Sequence, residues 1–186
     1  MTRVIAGSVG GRRLDTPKGD GTRPTSDRVR ESLFASLQSL LGGFDGLRVL
    51  DLYAGSGALA IEALSRGAVE GVLVESDARA AGVVRRNLSS LGLRGRVVQS
   101  TVQSFLTSLA PSDAGFDLVF CDPPYARAGA DVERELGLLV PSLADDAVVV
   151  VERSSRTPDL VWPEGLEAVR DKAYGETRLW YGQPHG

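Results

Sequence analysis

The sequence predicts an α/β fold: a seven-stranded, mostly parallel sheet that ends in an antiparallel hairpin, with a β-hairpin and helix extension at the N-terminus. Three observations predict it. From residue 47 onward, short apolar runs alternate with stretches of helical periodicity, the signature of strands joined by crossover helices. The last two candidate strands are separated only by Tyr174-Gly175-Glu176, too few residues for a crossover, so they form a hairpin. The 186 residues are 42% hydrophobic and 24% charged, which excludes a disordered, collagenous or coiled-coil chain. At this length about 70% of the unfolded surface can be buried in a single core.

The elements follow in order. Residues 3 to 14 suit a short hairpin, Arg3-Val4-Ile5-Ala6-Gly7 turning through Ser8-Val9-Gly10-Gly11 into Arg12-Arg13-Leu14. From Asp15 to Pro24 the breakers Pro17, Gly19, Gly21 and Pro24 leave a loop. Thr25, Ser26 and Asp27 are each competent to cap the helix that follows, in which Val29, Leu33, Phe34, Leu37, Leu40 and Leu41 recur at helical spacing until Gly42-Gly43. Buried strands are predicted at 47–52, 72–74, 97–98, 116–120 and 148–151, with helices at 58–64, 77–91, 102–109 and 131–139. The closing hairpin pairs 166–173 with 177–181. Crossovers of this order are right-handed and cover the sheet on both faces.

Charge is unevenly distributed. Against a net charge of -3, the first 30 residues carry seven Lys or Arg and three Asp, so a basic arm precedes an acidic body. That asymmetry suggests a polyanion at one end of the molecule, although scattered basic residues also occur on merely solvated faces. One cysteine, Cys121, and one histidine, His185, exclude an intramolecular disulfide and a Cys/His zinc site, and no metal is expected. No apolar run reaches the roughly 18 residues of a membrane span, and Met1 to Gly11 lack a signal peptide's pattern, so a cytoplasmic protein with no membrane partner is expected.

In open α/β sheets ligands bind at the carboxyl ends of the strands, so the residues after each strand carry the argument. The first strand of the body ends in Asp51-Leu52-Tyr53-Ala54-Gly55-Ser56-Gly57, whose glycines permit a tight turn and close approach to a ligand. Gly55-x-Gly57-x-x-Ala60 fits a dinucleotide fingerprint, and Glu75, at the end of the second strand, stands where an acid holds a ribose diol. Asp51 argues against a dinucleotide, because a carboxylate there repels a pyrophosphate and attracts an ammonium or sulfonium group; S-adenosylmethionine carries both cations and a ribose. A turn-capping role would also suit Asp51.

The fourth strand ends in Cys121-Asp122-Pro123-Pro124-Tyr125. Two prolines fix φ and remove two backbone donors, so the Asp122 carboxylate and the Pro123 carbonyl become two fixed acceptors for one NH₂ group. Tyr125 offers a ring on which a planar base stacks. The bland alternative is a Pro-Pro turn that only ends a strand. Cys121 reads as a small buried hydrophobe, since no histidine lies near it in sequence.

On these motifs the chain resembles the class I S-adenosylmethionine-dependent methyltransferases, with their Rossmann-like fold, that modify exocyclic amino groups of bases. It resembles most closely the bacterial 16S ribosomal RNA (guanine-N2) methyltransferases, through Arg3-Val4-Ile5-Ala6-Gly7 with Gly11-Arg12, the run Arg23-Pro24-Thr25-Ser26-Asp27-Arg28-Val29-Arg30-Glu31-Ser32-Leu33-Phe34, and Asp51 to Gly57. The resemblance implies rRNA methylation with S-adenosylmethionine as cofactor, on 16S rRNA within the small ribosomal subunit or an assembly intermediate. It implies that Asp51, Tyr53, Ala54, Gly55, Ser56 and Gly57 line the methionine end of the cofactor, with Asp122 beside it, and that Glu75 binds the ribose. Asp122, Pro123, Pro124 and Tyr125 then hold the guanine as the catalytic group, the Arg23 to Phe34 run flanks the cofactor, and Arg3, Arg12, Arg13, Arg23 and Arg28 face the RNA.

One position departs from the wider pattern. Many such enzymes place an acid after the third strand for the adenine amino group, but here the segment is Ser100-Thr101-Val102-Gln103. Backbone groups near Val102, or the side chains of Thr101 or Gln103, are the substitutes. The implied organisation is an extension over residues 1–45 and an S-adenosylmethionine-binding domain over residues 46–186. Three rival functions are weighed against it. A DNA amino-methyltransferase usually needs an added target-recognition region; a nicotinamide-dependent oxidoreductase gives no role to Asp122 to Tyr125; a non-catalytic RNA-binding assembly factor has no need of an intact Asp-Pro-Pro-Tyr turn.

Overall fold

The computed structural model describes residues 2–19 and 25–185. Their elements run β1 (Thr2–Arg3), β2 (Arg13–Leu14), α1 (Asp27–Leu41), β3 (Arg48–Leu52), α2 (Ala58–Ser65), β4 (Glu70–Glu75), α3 (Ala78–Leu91), β5 (Arg96–Gln99), α4 (Val102–Ser108), β6 (Phe116–Cys121), α5 (Gly129–Leu139), β7 (Leu143–Ser154), β8 (Leu166–Tyr174) and β9 (Thr177–Pro184). The main sheet has the order β5-β4-β3-β6-β7-β9-β8. Its first five strands are parallel, while β9 runs antiparallel between β7 and β8. The seven strands and the closing hairpin are those predicted. β7 is longer than the apolar core Val148 to Val151, because pairing along both its edges carries it out to Leu143 and Ser154.

Local chemistry sets the helix ends. Ser26, one of three candidates, caps α1 by accepting the Val29 N–H at 3.2 Å, and Gly42 ends the helix at φ 75°. Asp77 caps α3 by accepting the N–H groups of Arg79 and Ala80, and Thr101 caps α4 by accepting that of Ser104.

Strand alternation divides the core into two layers. Val49, Leu73, Leu118, Phe120, Val148 and Val150 face α1, α2 and α3. Leu50, Leu52, Val72, Val74, Val119, Cys121, Val149 and Val151 face α4 and α5. Residues two apart share a face, so Asp51, Glu75, Asp122 and Glu152, each one step beyond a residue of the second layer, all project toward the α1 side. Four carboxylates from four adjacent strands therefore gather under the N-terminal segment.

That segment packs into the body. Val4 and Leu14 are buried in the same core layer as Phe34, Ile61 and Leu64. The wholly buried Glu62 of α2 accepts the N–H groups of Ile5 at 2.8 Å and Ala6 at 3.0 Å, and pairs with Arg66. Ser8 N–H donates to the Ser65 carbonyl, and the Ser65 hydroxyl donates to that of Ala6. Gly7 is required at this contact: its φ is 86°, and a Cβ there would lie 1.9 Å from the Ser65 oxygen. Asn87 of α3 ties the segment to the rest by exchanging hydrogen bonds with the Asp15 backbone while donating to the Ser56 carbonyl. Among the described residues, no helix is long and apolar enough to cross a membrane.

Candidate active site

The chain leaves β3 toward β4 and β5 on one side, then returns to place β6 on the other, so strand order reverses between β3 and β6. The carboxyl ends of two diverging strands leave a crevice there. A cavity of about 300 Å³ occupies it, roofed by Thr2, Thr16, Pro17 and Thr25 of the N-terminal segment.

The loop after β3 forms one wall. Asp51 is 1% exposed and its Oδ2 accepts the Ala60 N–H at 3.1 Å, near the start of α2. Burial pushes its carboxyl up to about 8, with the Glu75 charge adding to the shift and the Ala60 hydrogen bond opposing it. The capping role and the cavity role thus coincide in one side chain. Tyr53 adopts φ 63°, a left-handed conformation that costs a non-glycine residue about 1–3 kcal/mol. Its hydroxyl donates to Glu135 of α5 at 2.6 Å, and the half-buried Arg127 pairs with the other oxygen of the buried Glu135, so an ion pair fixes the strained turn. Gly55 N–H donates to Glu75 Oε2 at 2.9 Å, and Asp77 N–H donates to Oε1. Gly57, at φ 81°, begins α2; a Cβ there would press on Leu73, Val84 and Ile61 at 3.1 to 3.2 Å.

The turn after β6 forms the opposite wall. Asp122 is half-buried and Pro123 buried, whereas Pro124 and Tyr125 are exposed, Tyr125 by 49%. Burial holds the Asp122 carboxyl well above the usual carboxylate range; the charges of Glu152 and Asp51 add to this and Arg153 opposes it. Glu152, 7% exposed, is also raised by burial, against the Thr25 hydroxyl that donates to its Oε2 at 2.9 Å. Cys121 is buried in the second core layer, where desolvation pushes its thiol up and leaves it no thiolate character.

The structure brings Asp51, Tyr53, Ala54, Gly55, Ser56, Glu75, Asp122, Pro123, Pro124 and Tyr125 to one cavity. Gly57 lies just behind it. The Val102 side chain is instead packed in the core with Phe105 and Leu106, leaving only its backbone for a ligand. Arg3, Arg12, Arg13 and Arg28 are exposed, and Arg12 reaches the Ser90 carbonyl at 3.1 Å; Arg23 lies outside the described residues. Arg30, also in the basic stretch, is fully buried; it donates to the Arg3 carbonyl and to Asp27, and its guanidinium lines the cavity from the N-terminal side.

Four site residues are not announced by any sequence motif: Glu152 sits in an apolar strand, Thr25 reads in sequence only as a cap, and Glu135 and Arg127 join Tyr53 through α5 and the loop before it. Only for Glu152 was there a signal, an acid directly after four valines at a strand's carboxyl end.

Comparison with known proteins agrees with this architecture. Residues 2–183 match the model of the family described as Conserved hypothetical protein 95. The chain is 36% identical over 189 residues to "Ribosomal RNA small subunit methyltransferase D" of Escherichia coli (strain K12), covering 99% of this chain and 91% of that one. It is 35% identical over 177 residues to the protein of the same name from Haemophilus influenzae, covering 93% and 89%. The solved structure of yhhF from Escherichia coli superposes with a TM-score of 0.82 at 36% identity, covering 98% and 97% of the two chains. The class I methyltransferase fold places all the cavity's elements, and the chain belongs to the Conserved hypothetical protein 95 family, that of the ribosomal RNA small subunit methyltransferase D proteins.

Proposed function

We propose that the protein transfers a methyl group from S-adenosylmethionine to the exocyclic N2 amino group of a guanine in 16S rRNA, within the small ribosomal subunit or an assembly intermediate. The observation that carries this reading is that the Asp122-Pro123-Pro124-Tyr125 turn opens into the same cavity as the Asp51 to Gly57 loop and Glu75. The named relatives supply the rRNA substrate class.

The donor set fits a cationic cofactor. Asp51, Glu75, Asp122 and Glu152 line the cavity against Arg30, the single cation among the described lining residues, a net acidic lining that favours a sulfonium and an ammonium over a pyrophosphate. Asp51, Tyr53, Ala54, Gly55, Ser56 and Gly57 would hold the methionine end. Glu75 would take the ribose hydroxyls, since each carboxylate oxygen keeps a lone pair beyond the backbone N–H it accepts. The Val102 backbone is the candidate for the adenine. When bound, S-adenosylmethionine supplies an electrophilic methyl group on sulfur.

The chain's own residues do the rest. The Asp122 carboxylate and Pro123 carbonyl accept the two amino hydrogens, turning the nitrogen lone pair out of conjugation with the ring and stabilising the positive charge that grows on nitrogen. Tyr125 stacks on the base, which must be unpaired or flipped out to enter. Most of the rate advantage comes from orientation, and the surplus proton leaves to Asp122 or water. The test is incubation with labelled S-adenosylmethionine and small subunits from a strain lacking the gene, followed by mapping of the label. Label at N2 of one guanine is expected; absence of transfer, with tight binding of NAD in calorimetry, would overturn the reading.

The exposed Arg3, Arg12, Arg13 and Arg28, with Arg23, would supply phosphate contacts on an otherwise acidic body. Each single-stranded phosphate contact adds about -0.7 to the slope of log K against log salt. Replacing Arg12 and Arg13 together by Ala should therefore flatten the slope by roughly one unit. Cofactor affinity should stay unchanged, because neither side chain lines the cavity. An unaltered slope would show that RNA docks elsewhere.

A further inference from the structure

Glu152 lines the cavity beside the Asp122 turn but has no part in the reaction as derived so far. It is the residue after Val151, which pairs with Cys121, so Glu152 and Asp122 stand side by side on neighbouring strands and project from the same face. Strand spacing sets these backbones roughly 4.8 Å apart. One Glu152 oxygen, Oε2, accepts the Thr25 hydroxyl, which orients the carboxylate, and a side chain that lines the cavity keeps further lone pairs for a donor there. Two carboxylates held together in a buried space call for donors to separate their charges. The Watson–Crick edge of guanine presents two in a row, N1–H and the N2 amino group, whereas adenine offers an unprotonated N1 in the same place.

We propose that Glu152 reads the target base by accepting the guanine N1–H while Asp122 and Pro123 hold the N2 amino group. Glu152 is thus a specificity-determining residue, and Thr25 orients it. The proposal rests on the guanine reading above and deepens it. Desolvation destabilises both ionised carboxylates in the free site, and at Asp122 the charge of Glu152 adds to it. A base with two adjacent N–H donors relieves that repulsion, and a base with an acceptor at N1 cannot.

The test compares RNA carrying the target guanosine with the same RNA carrying 2-aminopurine there, assembled into small subunits if naked RNA is not accepted. 2-Aminopurine keeps the N2 amino group but has a lone pair at N1. Wild type should methylate guanosine faster than 2-aminopurine by about 10²-fold or more, because a site built to accept a hydrogen bond rejects an analogue that lacks the donor. Glu152→Gln, whose amide can turn its NH₂ toward N1, should lose rate on guanosine and bring the ratio to within about tenfold. RNA affinity measured with S-adenosylhomocysteine in place of the methyl donor should shift in the same direction. A purely structural Glu152 would lower both substrates in parallel, and an unchanged ratio would overturn the proposal. Should the variant fail to fold, equal rates for the two bases in wild type would overturn it on their own. Transfer to guanosine in wild type separates failure of this assignment from failure of the guanine reading, and absence of any transfer to guanine defeats both.

Discussion

Asp122→Ala is expected to lower methyl transfer by about 10²- to 10³-fold, the scale of losing one preorganised polar group at a site of developing charge. Cofactor affinity should change by less than tenfold, because the proposed partner of the carboxylate is the amino group of the base. Folding offers a control that points the other way. Burial and the charges of Glu152 and Asp51 disfavour ionised Asp122, so its removal should leave the melting temperature unchanged or raise it. Asp122→Asn, which keeps an oxygen acceptor but not the charge, should lose less than the Ala variant. Single-turnover rates, calorimetry with S-adenosylmethionine and thermal melts together check the prediction. An Ala variant that kept more than a tenth of the activity, or that lost cofactor binding instead, would remove Asp122 from its place at the amino group.

The fold was legible because its signals are local. Apolar runs such as Val148 to Val151 and the stretch between Phe116 and Phe120 announce strands whatever surrounds them, and Gly42 and Asp77 mark helix ends by their own conformational preferences. The two walls of the cavity were legible for the same reason, since each is a contiguous motif at a strand's end. What joins the walls was not. The Glu152–Thr25 bond spans 127 residues and the Tyr53–Glu135 bond 82, and both depend on which strands become neighbours. The docking of the first residues onto Glu62 and Ser65 likewise rests on an acid that looks, in sequence, like one more polar position of a helix. Arg30 shows the converse: it reads as part of a basic stretch, yet its helical position turns it into the protein, where it binds Asp27 and the Arg3 carbonyl and lines the cavity.

The gathered carboxylates also predict an unusual pH response for the ligand-free protein: stability should fall as pH rises from 6 to 8. Asp51 titrates near 3.9 in an unfolded chain and at about 8 in the folded one, so between those values the folded state binds the extra proton. The stabilisation is complete below the unfolded value and is lost as pH rises through the folded one. One such group changes stability by about 1.4 kcal/mol per pH unit, so the drop across this window is on the order of 2 kcal/mol, or about 4–8 °C in melting temperature. Asp122 and Glu152, raised in the same direction, act with the same sign. Asp51→Asn keeps an oxygen for the Ala60 N–H and removes the charge, so it should be more stable than wild type at pH 8 and show a flatter profile. A cationic cofactor should reverse the trend. Binding beside Asp51 favours the ionised carboxylate and expels its proton, so affinity for S-adenosylmethionine should increase with pH up to about 8 in wild type and less in Asp51→Asn. Melting profiles of both proteins between pH 6 and 8, with and without cofactor, decide the matter. A ligand-free wild type that gains stability over this range, or an Asn variant with the same slope, would show that Asp51 is already ionised in the empty cavity.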